Sequence, residues 1–384
     1  PDLNWDNPEV RKEVQNVIKF WMGKGIKGFR FDVVNLISKD KFENDYEGDG
    51  RRFYTDGPNI HKYLRELNEA TFGTDAEIIT VGEMSSTTME NCYQYANEDG
   101  KELSMVFSFH HLKVDFMGNE KWVIVPFDFQ KLKKILFDWQ VNMGKHHAWN
   151  AVFWCNHDQP RVVSRFGNVE KYWKESAKML GTVIHCLRGT PYIYQGEELG
   201  MTNAGFTDIS QYKDVESLNH FRILQEKGLT EENAYQILQI HSRDNSRTPM
   251  QWTSGENGGF TTGEPWIQVN KNCSYINAEA ELQDEDSIFH YYRKLIELRK
   301  KYDVIAYGDL KPLDEKNPSV FAYEREYQGE KMLVICNFYG KNTTWDSETE
   351  LGEYQCVLSN YEEHSIVDSR IDLKPYEAVV LYKK

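Results

Sequence analysis

Cysteine is scarce in this chain of 384 residues: Cys92, Cys155, Cys186, Cys273, Cys336 and Cys356 lie far apart, with no Cys-x-x-Cys pair. That usage excludes a disulfide framework and suggests free thiols in a reducing cytosol, so a cytoplasmic location is expected. No apolar run approaches the roughly 20 residues that span a bilayer, and the mean hydropathy is -0.66; a membrane-spanning segment is excluded. Positive charge is in deficit, 45 Lys and Arg against 60 Asp and Glu for a formal charge of -15. Such a surface repels phosphodiester backbones and anionic lipids at long range, so neither nucleic acid nor membrane is an expected partner. Gly-rich phosphate loops and internal repeats are missing. The pairs His110-His111 and His146-His147 lack the i, i+4 spacing of a helical zinc site, and no metal site is expected.

Apolar residues make up 40% and aromatics 14%, enough for a large core and a second, smaller domain. From residue 1 to about 302 helices and short strands alternate. Asn7-Pro8 reads as an N-cap and first-turn pair, Val10, Val14, Val17, Ile18 and Trp21 recur at helical spacing, and Gly23 and Gly25 end the element. Strands are expected at 26–34, 78–81, 105–109, 151–154 and 191–195, and helices at 58–70, 89–95, 129–140, 172–187 and 288–301, with a long excursion before the last. Buried parallel strands joined by helices make this an α/β chain, and candidate catalytic groups at the strands' carboxyl ends favour a (β/α)8 TIM barrel. Five strands do not close eight. Roughly three strand-helix units are therefore expected before Pro1, from an amino-terminal segment or a separate chain, leaving about strands four to eight here. From 303 to 384 the period changes to two. A hairpin with 320–327 and 331–338 flanking Gln328-Gly329-Glu330, further strands at 356–358 and 377–382, and no helix define a small antiparallel β domain. The expected division is 1–302 for the carboxyl-terminal part of a catalytic barrel and 303–384 for the β domain.

Three acids each follow a strand: Asp32 in Gly28-Phe29-Arg30-Phe31-Asp32, Glu83 in Val81-Gly82-Glu83-Met84, and Asp158 in Trp154-Cys155-Asn156-His157-Asp158. A carboxylate at the end of an apolar strand costs desolvation unless it has partners. Two carboxyl groups across a cleft suit glycosidic bond cleavage, one ionised as nucleophile and one protonated as acid. Arg30 shares a strand face with Asp32 and would keep it charged, whereas no comparable cation flanks Glu83 in sequence, so a raised pKa and an acid/base role are expected there. Cys155 is expected to be packed rather than nucleophilic.

GFRFDVVNL, VGEMSS and FWCNHDQPR, with PDLNW and GTPYIYQGEELGM, resemble the motifs of the α-amylase family of glycoside hydrolases along essentially the whole chain. The resemblance implies a (β/α)8 barrel with a carboxyl-terminal β-sandwich and hydrolysis with retention. It assigns Asp32 as nucleophile, Glu83 as general acid/base, Asp158 as the residue fixing sugar hydroxyls, and Arg30 and His157 as their partners around the first sugar. The stretch 242–252, Ser-Arg-Asp-Asn-Ser-Arg-Thr-Pro-Met-Gln-Trp, is similar to the oligo-1,6-glucosidase branch, where Arg243 would help close the subsite for a terminal glucose and imply exo action. Val33 resembles branch members that cut linkages other than α-1,4.

Within the branch, 49–58, VGEMSSTTMENC and 102–116 are similar to members acting on α,α-trehalose 6-phosphate. A phosphorylated disaccharide substrate is therefore expected, cleaved by a retaining α-glucosidase to glucose and glucose 6-phosphate. A phosphorylated sugar needs local positive charge in an acidic protein; Lys113 is the first candidate, followed by His110, His111, Arg51 and Arg52. No cofactor is expected, and any calcium site of the first loop would precede Pro1. Alternatives are an oligo-1,6-glucosidase acting on isomalto-oligosaccharides, a non-catalytic relative of the same fold such as the accessory heavy chains of amino-acid transporters, or an inert fragment.

Overall fold

Asn7 and Pro8 start a helix for the reasons their types suggest. In the computed structural model, which describes residues 2–384, the Asn7 side chain accepts the Glu9 N–H at the head of α1 (Pro8–Gly23), and Pro8 occupies its first turn. Lys24 caps the end, and Gly25, at φ +89°, turns the chain toward the first strand.

The chain packs as two compact units. The first comprises Pro1–His111, Ile135–Val152 and Arg188–Thr190. It carries β1 (Gly28–Phe31), α2 (Ile60–Ala70), β2 (Ile79–Glu83), α3 (Met89–Tyr95), β3 (Met105–Phe107), most of α4 (Phe129–Lys145) and β4 (Asn150–Val152). With β5 (Thr190–Pro191) these strands form one sheet in the order β1-β2-β3-β4-β5. The first three pairings are parallel. Arg30 lies opposite Val81 and Phe31 opposite Gly82, while Glu83 faces Phe107. Parallel pairing at this register brings successive strand tips to one level. Helix α2 buries Ile60, Leu64 and Leu67 in a core with Val34, Met84, Leu103 and Val106, each such side chain contributing about 1.5–3 kcal/mol. Gly82 leaves room for its neighbours: a Cβ there would come within 2.5 Å of the Leu103 terminal methyl and 2.6 Å of the Met84 one, so both side chains would have to shift. On the outer side, β1 is an edge strand, and Val17, Phe20 and Trp21 of α1 are exposed.

The second unit comprises Leu112–Lys134, Phe153–Leu187 and Pro191–Lys384. Its helices are α5 (Val162–Phe166), α6 (Trp173–His185), α7 (Val215–Glu226), α8 (Glu231–His241), α9 (Ala278–Gln283), α10 (Ile288–Lys301) and α11 (Asp303–Tyr307). Strands β6 (Asp309–Leu313), β7 (Val320–Tyr327), β8 (Glu330–Asn337), β9 (Thr343–Asp346), β10 (Gln355–Ser359), β11 (Ser365–Val367), β12 (Arg370–Leu373) and β13 (Ala378–Lys383) follow. They make two antiparallel sheets, β10-β13-β8-β7-β6 and β11-β12-β9. Ile335, Val379 and Leu381 of one sheet and Trp345, Ile371 and Leu373 of the other share one core, so the two sheets stack as a sandwich.

Helices α3 and α10 occupy the expected residues, while the parallel strands are shorter than expected, β5 being reduced to two residues. The excursion before α10 contains α7 and α8, whose start signals are Asp214 and Thr230 side-chain caps. A short helix, α11, lies where only strands were expected after Tyr302. The hairpin turn is two residues rather than three: Tyr327 pairs with Glu330, and Gln328 and Gly329 both take positive φ, at 52° and 87°, the turn geometry that matches strand twist. The change from helix to strand comes at residues 303–309, but the compact units divide elsewhere. Helix α6 packs with the β part, as Tyr323 donates its hydroxyl to the Val183 carbonyl at 3.1 Å.

Candidate active site

Asp32 follows the last residue of β1 and Glu83 is the last residue of β2. Their predecessors Phe31 and Gly82 are partners across the sheet, so the two acids stand side by side on strands about 4.8 Å apart. Their environments differ sharply. The Asp32 side chain is 75% exposed and that of Glu83 11%. Burial therefore pushes the Glu83 carboxyl above the usual range, the Arg30 guanidinium pulls it down, and the hydrogen-bonded Asp32 raises it further. No cation flanks Glu83 in sequence, but one does in space: Arg30 bonds Asp32 through one terminal nitrogen and Glu83 through the other. The cause is register. Arg30 lies opposite Val81, two residues before Glu83, as it lies two residues before Asp32, so all three side chains share a face.

Val33, directly after Asp32, has φ 33° and ψ 43°, a left-handed conformation that is a true outlier for a β-branched residue and costs on the order of 1–3 kcal/mol. Its backbone N–H bonds Glu83. The sharp turn thus joins the two acids a second time.

The second unit contains its own polar group. Asp158 is not at a strand tip: it lies beyond Val152, in a turn where Asn156 accepts its N–H at 2.8 Å. Its carboxylate takes Arg247 at 2.7 Å, Arg243 at 3.4 Å and His157 Nε2 at 3.5 Å. Arg247, not among the residues selected above, also holds Asp214 at 2.6 Å and the His157 carbonyl at 2.8 Å. The signal was its i+4 spacing from Arg243. Arg243 Nε lies 2.9 Å from Glu216 as an ion pair whose N–H is not aligned for a hydrogen bond. Glu216 also takes Lys121 at 3.1 Å. Burial pushes the Lys121 ammonium below the usual lysine range, Glu216 opposes this, and Arg243 and Arg165 add to it. Lys121 was missed because nothing local distinguishes it from a surface lysine.

Beneath the turn carrying Asp158, Cys155 is buried and donates its thiol to Glu197 at 3.3 Å, and the Tyr292 hydroxyl donates to the same carboxyl at 2.9 Å. Packing, not nucleophilicity, is the role of Cys155. Burial raises Glu197 to about 7, Glu198 adding to the rise and the two hydrogen bonds opposing it. Its folded pKa exceeds its unfolded value, so the stability it lends is complete below about 4.5 and is lost as pH rises through about 7. In Glu197→Gln, Tm measured by calorimetry is expected to lose the part of its decline between those pH values that this group causes.

The candidate phosphate contacts separate. His110 bonds Ser108 at 3.2 Å and lies tilted against Trp139 at 4.6 Å between ring centres, while His111 is buried; both belong to the first unit. Lys113 is half-buried near the start of the second unit's chain. Arg52 is paired with Asp45 and Glu47, each at 2.7 Å, and Arg51 with Asp49 at 3.0 Å. The 43–49 loop supplies acids that neutralise the arginines following it, which removes the net positive charge expected there. Among the described residues no helix is long and apolar enough to cross a membrane.

The family pattern described as "Alpha amylase, catalytic domain" matches residues 1–308, and "Alpha-amylase SusG C-terminal domain" matches 320–380. Trehalose-6-phosphate hydrolase of Bacillus subtilis (strain 168) is 55% identical, over 99% of this chain and 68% of its own length. Oligo-1,6-glucosidase of Bacillus cereus is 47% identical, over 100% of this chain and 70% of its own. The crystal structure of Bacillus licheniformis trehalose-6-phosphate hydrolase superposes with a TM-score of 0.95 at 54% identity, covering 99% of this chain and 69% of that one. Sequence motifs, parallel sheet with antiparallel sandwich, and paired strand-tip acids agree: the chain belongs to the α-amylase family of glycoside hydrolases.

Proposed function

We propose that this protein is a retaining α-glucosidase that hydrolyses α,α-trehalose 6-phosphate to glucose and glucose 6-phosphate. The observation that carries the chemistry is the pair of adjacent carboxyls, Asp32 exposed and Glu83 buried, clamped by one guanidinium. Relatives named trehalose-6-phosphate hydrolase, at 55% and 52% identity, support the substrate.

Asp32, ionised, attacks the anomeric carbon of the terminal glucose. Glu83 gives its proton to the glycosidic oxygen, so that glucose 6-phosphate departs and a glucosyl ester forms on Asp32. Glu83, now a carboxylate, takes a proton from water, which attacks the same carbon and releases glucose with the original anomeric configuration. Arg30 spreads positive charge over both carboxyls and so favours the ionised form of each at its own step. Asp158, oriented by Arg243 and Arg247, binds sugar hydroxyls, with His157 as a further donor.

Lys113 supplies the positive charge for the phosphate. Arg51 and Arg52 are weaker candidates because acids of their own loop pair with them. The edge position of β1 and the exposed apolar residues of α1 support completion of the barrel by further strands from an amino-terminal segment. Six free cysteines support a reducing, cytosolic setting. A small-molecule phosphosugar is then the only partner the chemistry requires.

The assay that tests this reading measures glucose release from trehalose 6-phosphate, trehalose and isomaltose, using protein that includes the preceding barrel strands. Trehalose 6-phosphate is expected to be much the best substrate. Equal or faster cleavage of isomaltose would establish the second reading, an oligo-1,6-glucosidase, which the 47% identity to the Bacillus cereus enzyme favours. Lys113→Ala is expected to raise KM for trehalose 6-phosphate about tenfold or more and leave KM for trehalose within about twofold, since a charge-assisted bond to phosphate contributes ~1.5–3 kcal/mol.

A further inference from the structure

Both strand-tip acids need a fixed separation, yet each is followed by a turn rather than by regular structure. The element that fixes these turns is Asp56, which lies at the end of the 38–57 loop at φ 51°. Its carboxylate accepts four hydrogen bonds from neutral donors: Asn35 Nδ2 at 3.0 Å and the Tyr95 hydroxyl at 2.5 Å on one oxygen, Thr87 Oγ1 at 2.7 Å and Asn91 Nδ2 at 2.8 Å on the other. The Asp56 N–H donates to the Asn35 carbonyl at 3.0 Å.

Asn35 extends the network. It is fully buried, three residues beyond Asp32, and its amide makes two bonds to the backbone of Ser85, donating to the carbonyl at 2.8 Å and accepting the N–H at 2.9 Å. Ser85 is two residues beyond Glu83 and Thr87 four. One carboxylate therefore grips the turn after β1 through Asn35, the turn after β2 through Thr87, and α3 through Asn91 and Tyr95. All four of these donors are neutral, so the acceptor capacity of Asp56, rather than charge pairing, organises the set. The same turn contains Val33, whose strained backbone requires support from its surroundings.

We infer that Asp56 is a positioning residue of the glycosidase reaction: through Asn35 and Thr87 it sets the relative placement of the Asp32 and Glu83 tips. This rests on the reading of those two acids given above. An amide at position 56 offers one accepting oxygen where the carboxylate offers two, so one pair of donors meets an NH2 group instead. Misplacement by about 1 Å costs on the order of 10²-fold in rate.

The test uses Asp56→Asn and the milder Thr87→Val in the complete protein. Kinetics are measured with trehalose 6-phosphate and with 4-nitrophenyl α-glucoside across pH. The expected result is a fall in kcat of about 10²-fold for Asp56→Asn and about tenfold for Thr87→Val, with KM nearly constant. The alkaline limb of kcat/KM should move to lower pH as water reaches Glu83. A purely structural role would lower Tm but leave kcat of the folded variant and that limb in place. If Asp56→Asn does not fold, Thr87→Val alone decides. Folded variants with kcat within twofold of the parent and an unmoved limb would overturn the inference while leaving the glycosidase reading intact. A parent protein inactive on every α-glucoside would instead remove that reading and, with it, the role of Asp56.

Discussion

Asparagine in place of Asp32 is expected to lower kcat on the order of 10⁴–10⁶-fold with every substrate, the range for loss of a covalent nucleophile. Because the Asp32 side chain is 75% exposed, Tm should stay close to that of the parent. The substitution also removes the charge that raises Glu83, while Arg30 remains to lower it. The Glu83 pKa should therefore fall, a shift readable by following its carboxyl in an NMR titration. Rates within tenfold of the parent would show that Asp32 does not attack the sugar.

Glutamine at position 83 should lower kcat with trehalose 6-phosphate by about 10²–10⁴-fold, the usual contribution of general acid catalysis. The leaving group decides how much. A sugar alkoxide is a poor leaving group and needs the proton, whereas a dinitrophenolate does not, so Glu83→Gln should lose far less in forming the glucosyl enzyme from 2,4-dinitrophenyl α-glucoside. The pH profile gives the sign independently. Glu83 acts as an acid only while protonated, and its raised pKa keeps it so to higher pH; in the parent kcat/KM should fall as pH rises through that value, and in Glu83→Gln this limb should vanish. Equal losses with both leaving groups would point to a structural role.

The sheet and the acids at its strand ends were legible because both follow from local pattern: apolar strands, a helical repeat and carboxylates where an apolar strand stops. Arg30 beside Asp32 is readable from the i, i+2 rule within one strand. Arg30 beside Glu83 is not, since it depends on which residue of β2 faces it, and register between strands whose partners are 51 positions apart in sequence is set by packing of the whole sheet. The same reason hid Arg247 and Lys121, whose partners Asp158 and Glu216 are distant in sequence. Helices α7 and α8 were hidden differently. Their first-turn caps are legible, but their apolar faces meet Trp122, Phe206 and Ile267 from loops, so no simple repeat announces them. Asp56 precedes Gly57-Pro58, a local setting that marks only a turn, and the convergence of four donors reveals its place.

The most direct test is to trap the covalent intermediate. The complete protein is incubated with 5-fluoro-α-D-glucosyl fluoride, digested, and examined by peptide mass spectrometry. A fluoroglucosyl ester on Asp32, absent from Asp32→Asn and released on adding an acceptor sugar, is the predicted result. Label on Glu83 or Asp158, or turnover with inverted product and no ester on any carboxylate, would contradict the assignment of nucleophile and acid on which the mechanism stands.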